Sequence, residues 1–431
     1  MRVLLIGSGG REHALAAAIL ESPALTELLV APGNAGTSAH NVTLDVDDHD
    51  AVVRFCGDRA IDLVVVGPEA PLVAGLADEL AGANVPCFGP TAAAARLEGS
   101  KSFTRSFADS IGIPQPASAT FDDADAAIAW LDEVGVPVVV KADGLAAGKG
   151  VVIPSNRAET EAAIRDMLED GAFGDAGATI VLEECMIGEE LSLFGISDGT
   201  RVVALATAQD HKRVGEGDTG PNTGGMGAFA PVPGIDADRQ AELAGLFLEP
   251  AIRGMADAGT PYVGVLFAGL MLTEAGPRLV EYNCRFGDPE AEVILPLLAV
   301  DALELFHAAA TGRLDPESVA MHPGVAATVV VAADGYPEAP VKGVQVPVPD
   351  RLGDDVTVFH AGTRVDDDEL VSSGGRVLAV TGKGDDLDDA LEAAYCVVDG
   401  LVGDGLFARR DIGWRHRRRS APTETKETVD E

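Results

Sequence analysis

The sequence predicts a multidomain protein of α/β and α+β class, with a Rossmann-like N-terminal domain, a larger central domain and a small β-rich C-terminal domain. Three observations carry this expectation. Over residues 1–90, short apolar runs alternate with helical stretches, the pattern of parallel strands joined by crossover helices. From about residue 118 onward, strand-like runs follow one another around a long polar loop and one helical stretch, as in a mainly antiparallel sheet. After His322 a third set of strand-like runs begins, and 431 residues are enough for several domains.

In the first unit the runs are RVLLIG, LLVAPG, DLVVVGP and VPCFGP, each closing on Gly or Pro. In a parallel sheet such strand ends gather on one edge, where ligands collect. A helix is expected around SKSFTRSFADSIG. The strands PVVVKADG, TIVLEEC, LSLFGIS and VVALATA follow, then a polar Gly-rich loop, a helix around 237–257, and the strands VGVLFAGLML and RLVEYNCRF. The third unit reads as GVAATVVVAADG, VTVFHAG and RVLAVTGKG, then a helix through ALEAAYCVVDGL. The closing RHRRRSAPTETKETVDE reads as a frayed tail. The expected boundaries are 1–100, 101–321 and 322–420, with residues 421–431 as tail. There is no evident internal repeat.

Composition narrows the partners. Asp and Glu number 69 against 31 Lys and Arg, a net charge of −38 that argues against nucleic acid and acidic membranes. The excess is spread along the chain, the pattern of a solvated acidic surface such as keeps proteins soluble in concentrated salt. No apolar run approaches the ~20 residues of a membrane span and the opening MRVLLIG is a strand, so a soluble, cytoplasmic protein is expected. Cys56, Cys87, Cys185, Cys284 and Cys396 form no CxxC pair. They are expected to be reduced and mostly buried, with neither zinc nor disulfides. Only 7 of the basic residues are lysines, and four of these, Lys101, Lys141, Lys149 and Lys212, fall in glycine-bearing segments.

Five motifs suggest chemistry. The turn Gly7-Ser8-Gly9-Gly10-Arg11-Glu12 after the first strand is either a phosphate site at a helix N-terminus or a plain tight turn. It is not the dinucleotide fingerprint, because Glu12 stands where a glycine is required. The turns at Asn34, Gly36 and Thr37, and at Pro68 and Glu69, close neighbouring strands, so the three together suggest a pocket for a small phosphorylated molecule. The second motif, Lys141 to Gly150, places a lysine at a strand end before a small-residue loop containing Gly148 and Lys149, either chemistry suited to polyphosphate or a merely flexible hairpin. Gly150 stands where a Walker loop would carry Ser or Thr. In the third, Glu183, Glu184 and Met186 with Glu190 offer backbone atoms and carboxylates to a base and its ribose, or form only an acidic surface loop. In the fourth, Glu281 and Asn283 share one strand face as hard oxygen ligands and Arg285 continues that face, or the strand simply turns a polar side to solvent. The fifth runs from Asp210, His211, Lys212 and Arg213 through Asn222 and Thr223 to Gly227, and its glycines suggest a lid or clamp. His211 has no second His or Cys nearby, so it is expected to be structural.

Taken together, the runs GSGGREHAL, APGNAGT, VGPEAPLV, LEGSKSFT, KADGLAAGKGV, QDHKRVGEGDTGPNTGGMGA, EYNCRFGDPE, VFHAGT and ARRDIGW resemble the phosphoribosylamine–glycine ligases, a family of the ATP-grasp superfamily. They span residues 1 to 414, so no further enzyme is expected to be fused. The resemblance implies an ATP-grasp central domain with ATP as co-substrate between two lobes. Lys101 and Lys141 would lie on its phosphates, Gly148 to Gly150 over them, Glu183 to Met186 on the adenine and Glu190 on the ribose. Glu281 and Asn283 would hold Mg²⁺ or Mn²⁺. The loops at Gly9, Gly10, Arg11 and Glu12, at Asn34 to Thr37 and at Pro68 to Glu69 would hold the phosphoribosyl group. Asp210, Lys212, Arg213 and Arg285 would serve glycine and the transferring phosphoryl group, with Asn222 and Thr223 in the substrate loop. The partners implied are small molecules, with neither nucleic acid nor membrane, in a monomer or small homo-oligomer. The rival readings are another ATP-grasp ligase, an NAD(P) oxidoreductase on the N-terminal half, and a silent nucleotide sensor.

Overall fold

The computed structural model describes residues 1–135, 137–146, 150–347, 349 and 351–420. Its N-terminal sheet contains β1 (Arg2–Gly7), β2 (Glu27–Pro32), β3 (Leu63–Val66) and β4 (Cys87–Phe88), all parallel in the order β2-β1-β3-β4. The middle strands β1 and β3 are almost wholly buried, which is why they read as unbroken Val/Leu/Ile runs rather than alternating ones. Gly7 pairs with Pro32 and Ile6 with both Ala31 and Val66, so the three following loops leave one edge together.

The next unit is a small antiparallel sheet of β5 (Ser118–Phe121), β6 (Val138–Ala142), β7 (Val151–Val152) and β8 (Ile180–Glu184), in the order β5-β8-β6-β7. Helices Ala124–Val134 and Arg157–Leu168 close its core on Leu131, Val140, Ile164, Met167 and Leu182. Asp123 and Asn156 cap them, each accepting a backbone N–H three residues on and so satisfying a donor the first helical turn leaves open.

The larger sheet draws on the rest of the chain: β9 (Glu189–Asp198), β10 (Val202–Asp210), β11 (Arg213–Gly215), β12 (Thr219–Asn222), β13 (Gly227–Ala230), β14 (Val263–Thr273), β15 (Gly276–Asn283), β16 (Val325–Ala333), β17 (Val356–His360), β18 (Thr363–Asp366), β19 (Glu369–Ser372), β20 (Arg376–Gly384) and β21 (Leu406–Ala408). Nine of these form one sheet, in the order β15-β14-β9-β10-β13-β16-β20-β17 with β21 on β16. The pairs β11–β12 and β18–β19 stand apart as hairpins. The third unit therefore extends the central sheet through the β13–β16 ladder instead of building its own. One apolar cluster contains Ile6, Phe247, Leu266, Val329, Val380 and Leu391, from all three parts of the chain. Burying each such side chain contributes about 1.5–3 kcal/mol.

Several expectations change. The helix around 237–257 is two helices, Ala237–Phe247 and Glu249–Asp257, because Pro250 in the first turn of the second cannot donate to a continuing helix. The polar loop contains the β11–β12 hairpin. The supposed tail begins as a helix, Trp414–Ser420, with His416 buried, and residues 421–431 lie outside the described residues. All five cysteines are free, but only Cys56 and Cys284 are buried, Cys87 and Cys185 are half-buried, and Cys396 is exposed. Burial pushes the Cys56 thiol up to about 11. Among the described residues no helix is long and apolar enough to cross a membrane.

Candidate active site

The N-terminal unit, the small sheet and β15 enclose a cleft of about 500 Å³. Lys101, Lys141, Gly150, Glu281, Asn283, Arg285, Arg11, Glu69, Asn222 and Thr223, all singled out in the sequence, line it. They arrive from separate elements. Lys101 opens the helix Lys101–Ser110, Lys141 ends β6, and Glu281 and Asn283 alternate along β15 so that both face the cleft.

One end is cationic. Lys141 Nζ lies 2.8 Å from Glu183 Oε2, and Arg105 Nε lies 2.7 Å from Glu183 Oε1. All three side chains are nearly inaccessible. Burial pushes the Glu183 carboxyl up, but Lys141 and Arg105 outweigh it and hold the group below its ordinary value. Lys101 Nζ donates to the Gly144 carbonyl at 3.1 Å, and burial lowers its pKa against the pull of Glu281. Asn283 is buried with its Nδ2 unpartnered, a free polar group facing the same space as the Glu281 carboxylate.

Arg285 dominates the other end. It pairs with Glu69 at 3.1 Å and Glu98 at 2.7 Å, and burial is outweighed by these carboxylates, so its pKa is raised. The partners respond oppositely. Arg285 and Arg11 overcome burial at Glu69 and lower it, whereas at Glu98 burial wins and raises it. Arg11 donates to the Phe286 carbonyl at 3.2 Å and pairs with Glu12 at 2.6 Å.

In the first glycine-rich turn the Ser8 and Gly9 amides are already taken. Glu12 Oε2 accepts the N–H groups of Gly9 at 2.6 Å and Ser8 at 3.1 Å. A Cβ on Gly67 would sit 2.1 Å from Glu12 Oε1, so the neighbouring strand end is glycine to admit this carboxylate. Glu12 thus fills the turn itself, with Gly10 beginning the helix Gly10–Leu20 beside it. Asn34 donates to Ser8 O, Gly9 O and His360 O and accepts from Gly36 N, while Thr37 Oγ1 bonds Asn41, so this loop ties β1 to β17 rather than lining the cleft. Pro68 precedes the short helix that carries Glu69 to the cleft.

Glu183 and Glu184 point to opposite sides of β8. Glu184 is exposed and pairs with Arg278 at 2.9 Å, away from Lys141. Met186 is half-buried in the turn before β9. Gly148 and Lys149 lie outside the described residues. Glu190, Asp210 and Lys212 form a second cluster, with Lys212 Nζ at 2.7 Å from Glu190 and 3.0 Å from Asp210. Burial lowers the Lys212 pKa, but these carboxylates carry it well above its ordinary value. Glu290, bonded by Ser192 at 3.1 Å, is pushed up to about 7 by burial and by Asp210.

The fifth motif is anchored, not a free lid. Arg409, 1% exposed, pairs with Asp218 and Asp411 and donates to the Arg213 carbonyl, while Gly413 N donates to His211 Nε2 at 3.0 Å. His211 has the structural role expected of it, and burial lowers its pKa to about 4. The Arg213 guanidinium bonds Gly220 O within its own hairpin instead of reaching the cleft. Sequence reasoning missed Arg105, Glu98, Asp288, Glu290, Tyr336 and Arg376. The first four had a signal, since they lie inside or beside the quoted LEGSKSFT and NCRFGDPE runs. Tyr336 and Arg376 had none.

A Rossmann-like unit followed by a two-part antiparallel region, with the buried Lys141 and half-buried Lys101 facing a Glu/Asn strand across a cleft, defines an ATP-grasp enzyme. Three family profiles match in succession: phosphoribosylglycinamide synthetase N domain over residues 1–98, its ATP-grasp (A) domain over 99–291 and its C domain over 326–415. The chain is 51% identical over 418 residues to a phosphoribosylamine–glycine ligase of Mesorhizobium japonicum, covering 96% of this chain and 98% of the relative. It is 52% identical over 417 residues to that of Rhizobium meliloti, with the same coverage. The crystal structure of the Thermotoga maritima phosphoribosylamine–glycine ligase superposes with a TM-score of 0.84 at 33% identity, covering 95% of this chain and all of that one. The biotin carboxylase domain of Hydrogenobacter thermophilus 2-oxoglutarate carboxylase shares the fold at 16% identity, with a TM-score of 0.74 over 94% of this chain and 91% of that one. The chain belongs to the phosphoribosylglycinamide synthetase family.

Proposed function

We propose that the protein joins glycine to 5-phosphoribosylamine with ATP, giving glycinamide ribonucleotide, ADP and phosphate, as a cytoplasmic enzyme of purine biosynthesis. The supporting observation is the cleft itself: Lys101 and Lys141 face Glu281, Asn283 and Arg285 across it, in a chain whose relatives of that name match nearly end to end.

In this reading a glycine carboxylate oxygen attacks the γ-phosphorus and ADP leaves. The substrate amine then attacks the resulting acyl carbonyl, losing a proton as phosphate departs. The protein's part is positioning and charge neutralisation, with no covalent enzyme intermediate. We assign Lys101 and Lys141 to the nucleotide phosphates, Met186 and Glu190 to base and ribose, and Arg285, between its two glutamates, to the transferring phosphoryl group. Glu183 is assigned instead to Lys141 and Arg105, which it holds in place. The Glu281 carboxylate and the side-chain carbonyl oxygen of Asn283, two positions apart on β15, suit a divalent cation, magnesium or manganese, which when bound would neutralise phosphate charge. Asp210, Lys212 and Glu290 are assigned to glycine, whose ammonium needs a carboxylate partner. The phosphoribosyl group is assigned to the end near Arg11 and Glu69.

The test is ADP release by the purified protein with ATP and Mg²⁺, adding glycine and phosphoribosylamine separately and together. Release that requires both, with glycinamide ribonucleotide formed, is expected. ATP binding without such turnover would sink the assignment. We also read the acidic surface as suited to concentrated salt. Raising KCl from ~0.1 M to ~1 M, which shortens the Debye length from about 10 to about 3 Å, should raise the thermal midpoint. An unchanged midpoint would remove that reading.

A further inference from the structure

Two side chains from the third unit reach the cleft. Arg376 opens β20 and Tyr336 lies in the turn after β16. Both close on Gly224. The Tyr336 hydroxyl accepts the Gly224 N–H at 3.0 Å, and Arg376 Nη1 donates to the Gly224 carbonyl at 2.5 Å. Arg376 also donates to the Asp288 carbonyl at 2.7 Å and pairs with the Asp288 carboxylate at 3.0 Å. The Tyr336 ring in turn occupies space over Gly375, where a Cβ would fall 2.2 Å from its Cδ2.

Both polar groups of Gly224 are therefore fixed by side chains, a dense restraint for one loop residue. The preceding Asn222 and Thr223 face the cleft, and Thr223 bonds the Lys212 carbonyl through its N–H at 2.7 Å and its hydroxyl at 2.8 Å. This end of the cleft abuts the N-terminal unit, since the Asp288 carboxylate lies 3.1 Å from where a Gly9 Cβ would stand. Lys101 and Lys141 belong to the other end.

We propose that Tyr336 and Arg376 are positioning residues that hold Asn222–Gly224 as the wall of the amine-substrate site and so set the KM for that substrate. The proposal rests on the ligase reading above. Neither side chain enters the chemistry. Each acts through the loop, and losing one such hydrogen bond weakens what the loop holds by roughly two- to tenfold.

The experiment compares wild-type protein with Tyr336→Phe, Arg376→Lys and Arg376→Met, measuring KM and kcat for phosphoribosylamine, glycine and ATP. Thermal midpoints of all four proteins are recorded alongside. Tyr336→Phe should raise the KM for phosphoribosylamine several-fold and Arg376→Met at least tenfold, with Arg376→Lys recovering part of the loss and the KM for ATP within about twofold of wild type. Equal rises in the KM of all three substrates, or an unchanged KM for phosphoribosylamine in folded Tyr336→Phe and Arg376→Lys, would overturn the proposal. If the wild-type protein formed no glycinamide ribonucleotide, the function reading itself would have failed, a distinguishable result.

Discussion

Replacing Glu183 by alanine separates two roles for one carboxylate. The structure places it between Arg105 and Lys141 at 2.7 and 2.8 Å, with all three groups buried. Each of these charge-assisted hydrogen bonds contributes about 1.5–3 kcal/mol. Removing the one carboxylate that, among the described residues, forms an ion pair with both buried cations leaves them facing one another, a change that typically costs about 3–5 kcal/mol. The expected outcome in urea unfolding is a loss of that order in the absence of nucleotide. Polyphosphate should then stabilise the variant more than the wild type, because it supplies the missing negative charge, and the gain should grow with ATP concentration. The pH dependence has a definite sign. Glu183 is held below its ordinary pKa, so its contribution is present above about pH 4 and is lost as the pH falls further. The gap between wild type and variant should therefore narrow on acidification. A variant of unchanged apo stability but weakened ATP affinity would refute this account and return Glu183 to the adenine.

Arg409→Ala should cost ~3 kcal/mol, because it removes the cation partner of Asp411, leaves Asp218 with Arg415 alone and frees the Arg213 carbonyl, and should expose the 213–222 hairpin to limited proteolysis; a protease-resistant variant would show that the hairpin holds itself. Glu281→Ala should lower kcat at least ~100-fold while leaving the midpoint of unfolding nearly unchanged, since no protein group bonds that carboxylate among the described residues; unaltered turnover in a magnesium titration would exclude it as a cation ligand. Glu290, pushed up to about 7, keeps its proton on folding, so it costs stability progressively as the pH rises from ~4.5 toward 7. Glu290→Gln should therefore gain stability over wild type at pH 8 and not at pH 4, and parallel stability profiles would count against a raised pKa.

What could be read in advance follows from locality. The parallel half-sheet was legible because burial on both faces makes β1 and β3 unbroken apolar runs. Lys101, Lys141, Glu281, Asn283 and Arg285 were legible because each stands in a short run whose composition departs from this lysine-poor chain. Glu12 reads in the sequence as part of a substrate loop, and the structure shows its carboxylate bonded to the turn itself. A glycine-rich turn advertises free N–H groups, and the local signal that weighs against this, a glutamate at the third helical position able to cap the turn, goes unused in that reading. Glu183 likewise looked like a ligand because its cations, Arg105 and Lys141, are 78 and 42 residues away in sequence. Arg376 and Tyr336 depend on the β16–β20 ladder carrying them to a loop more than 100 residues earlier, and no window along the sequence contains that.

The β13–β16 ladder bears on how the chain is made. The four residues of β13, Gly227–Ala230, are buried between β10 and the later strand β16, so when they leave the ribosome one of their two edges has no partner. That partner begins only at Val325, after both helices of the 237–257 region and the whole of β14 and β15 have been synthesised. Until then the nascent central unit carries an open apolar strand edge, the kind of surface to which holding chaperones bind. A stop codon placed in the gap near residue 322 would make this exposure permanent, so a fragment that keeps Lys101, Lys141 and the whole of β15 should still aggregate rather than survive as a smaller enzyme.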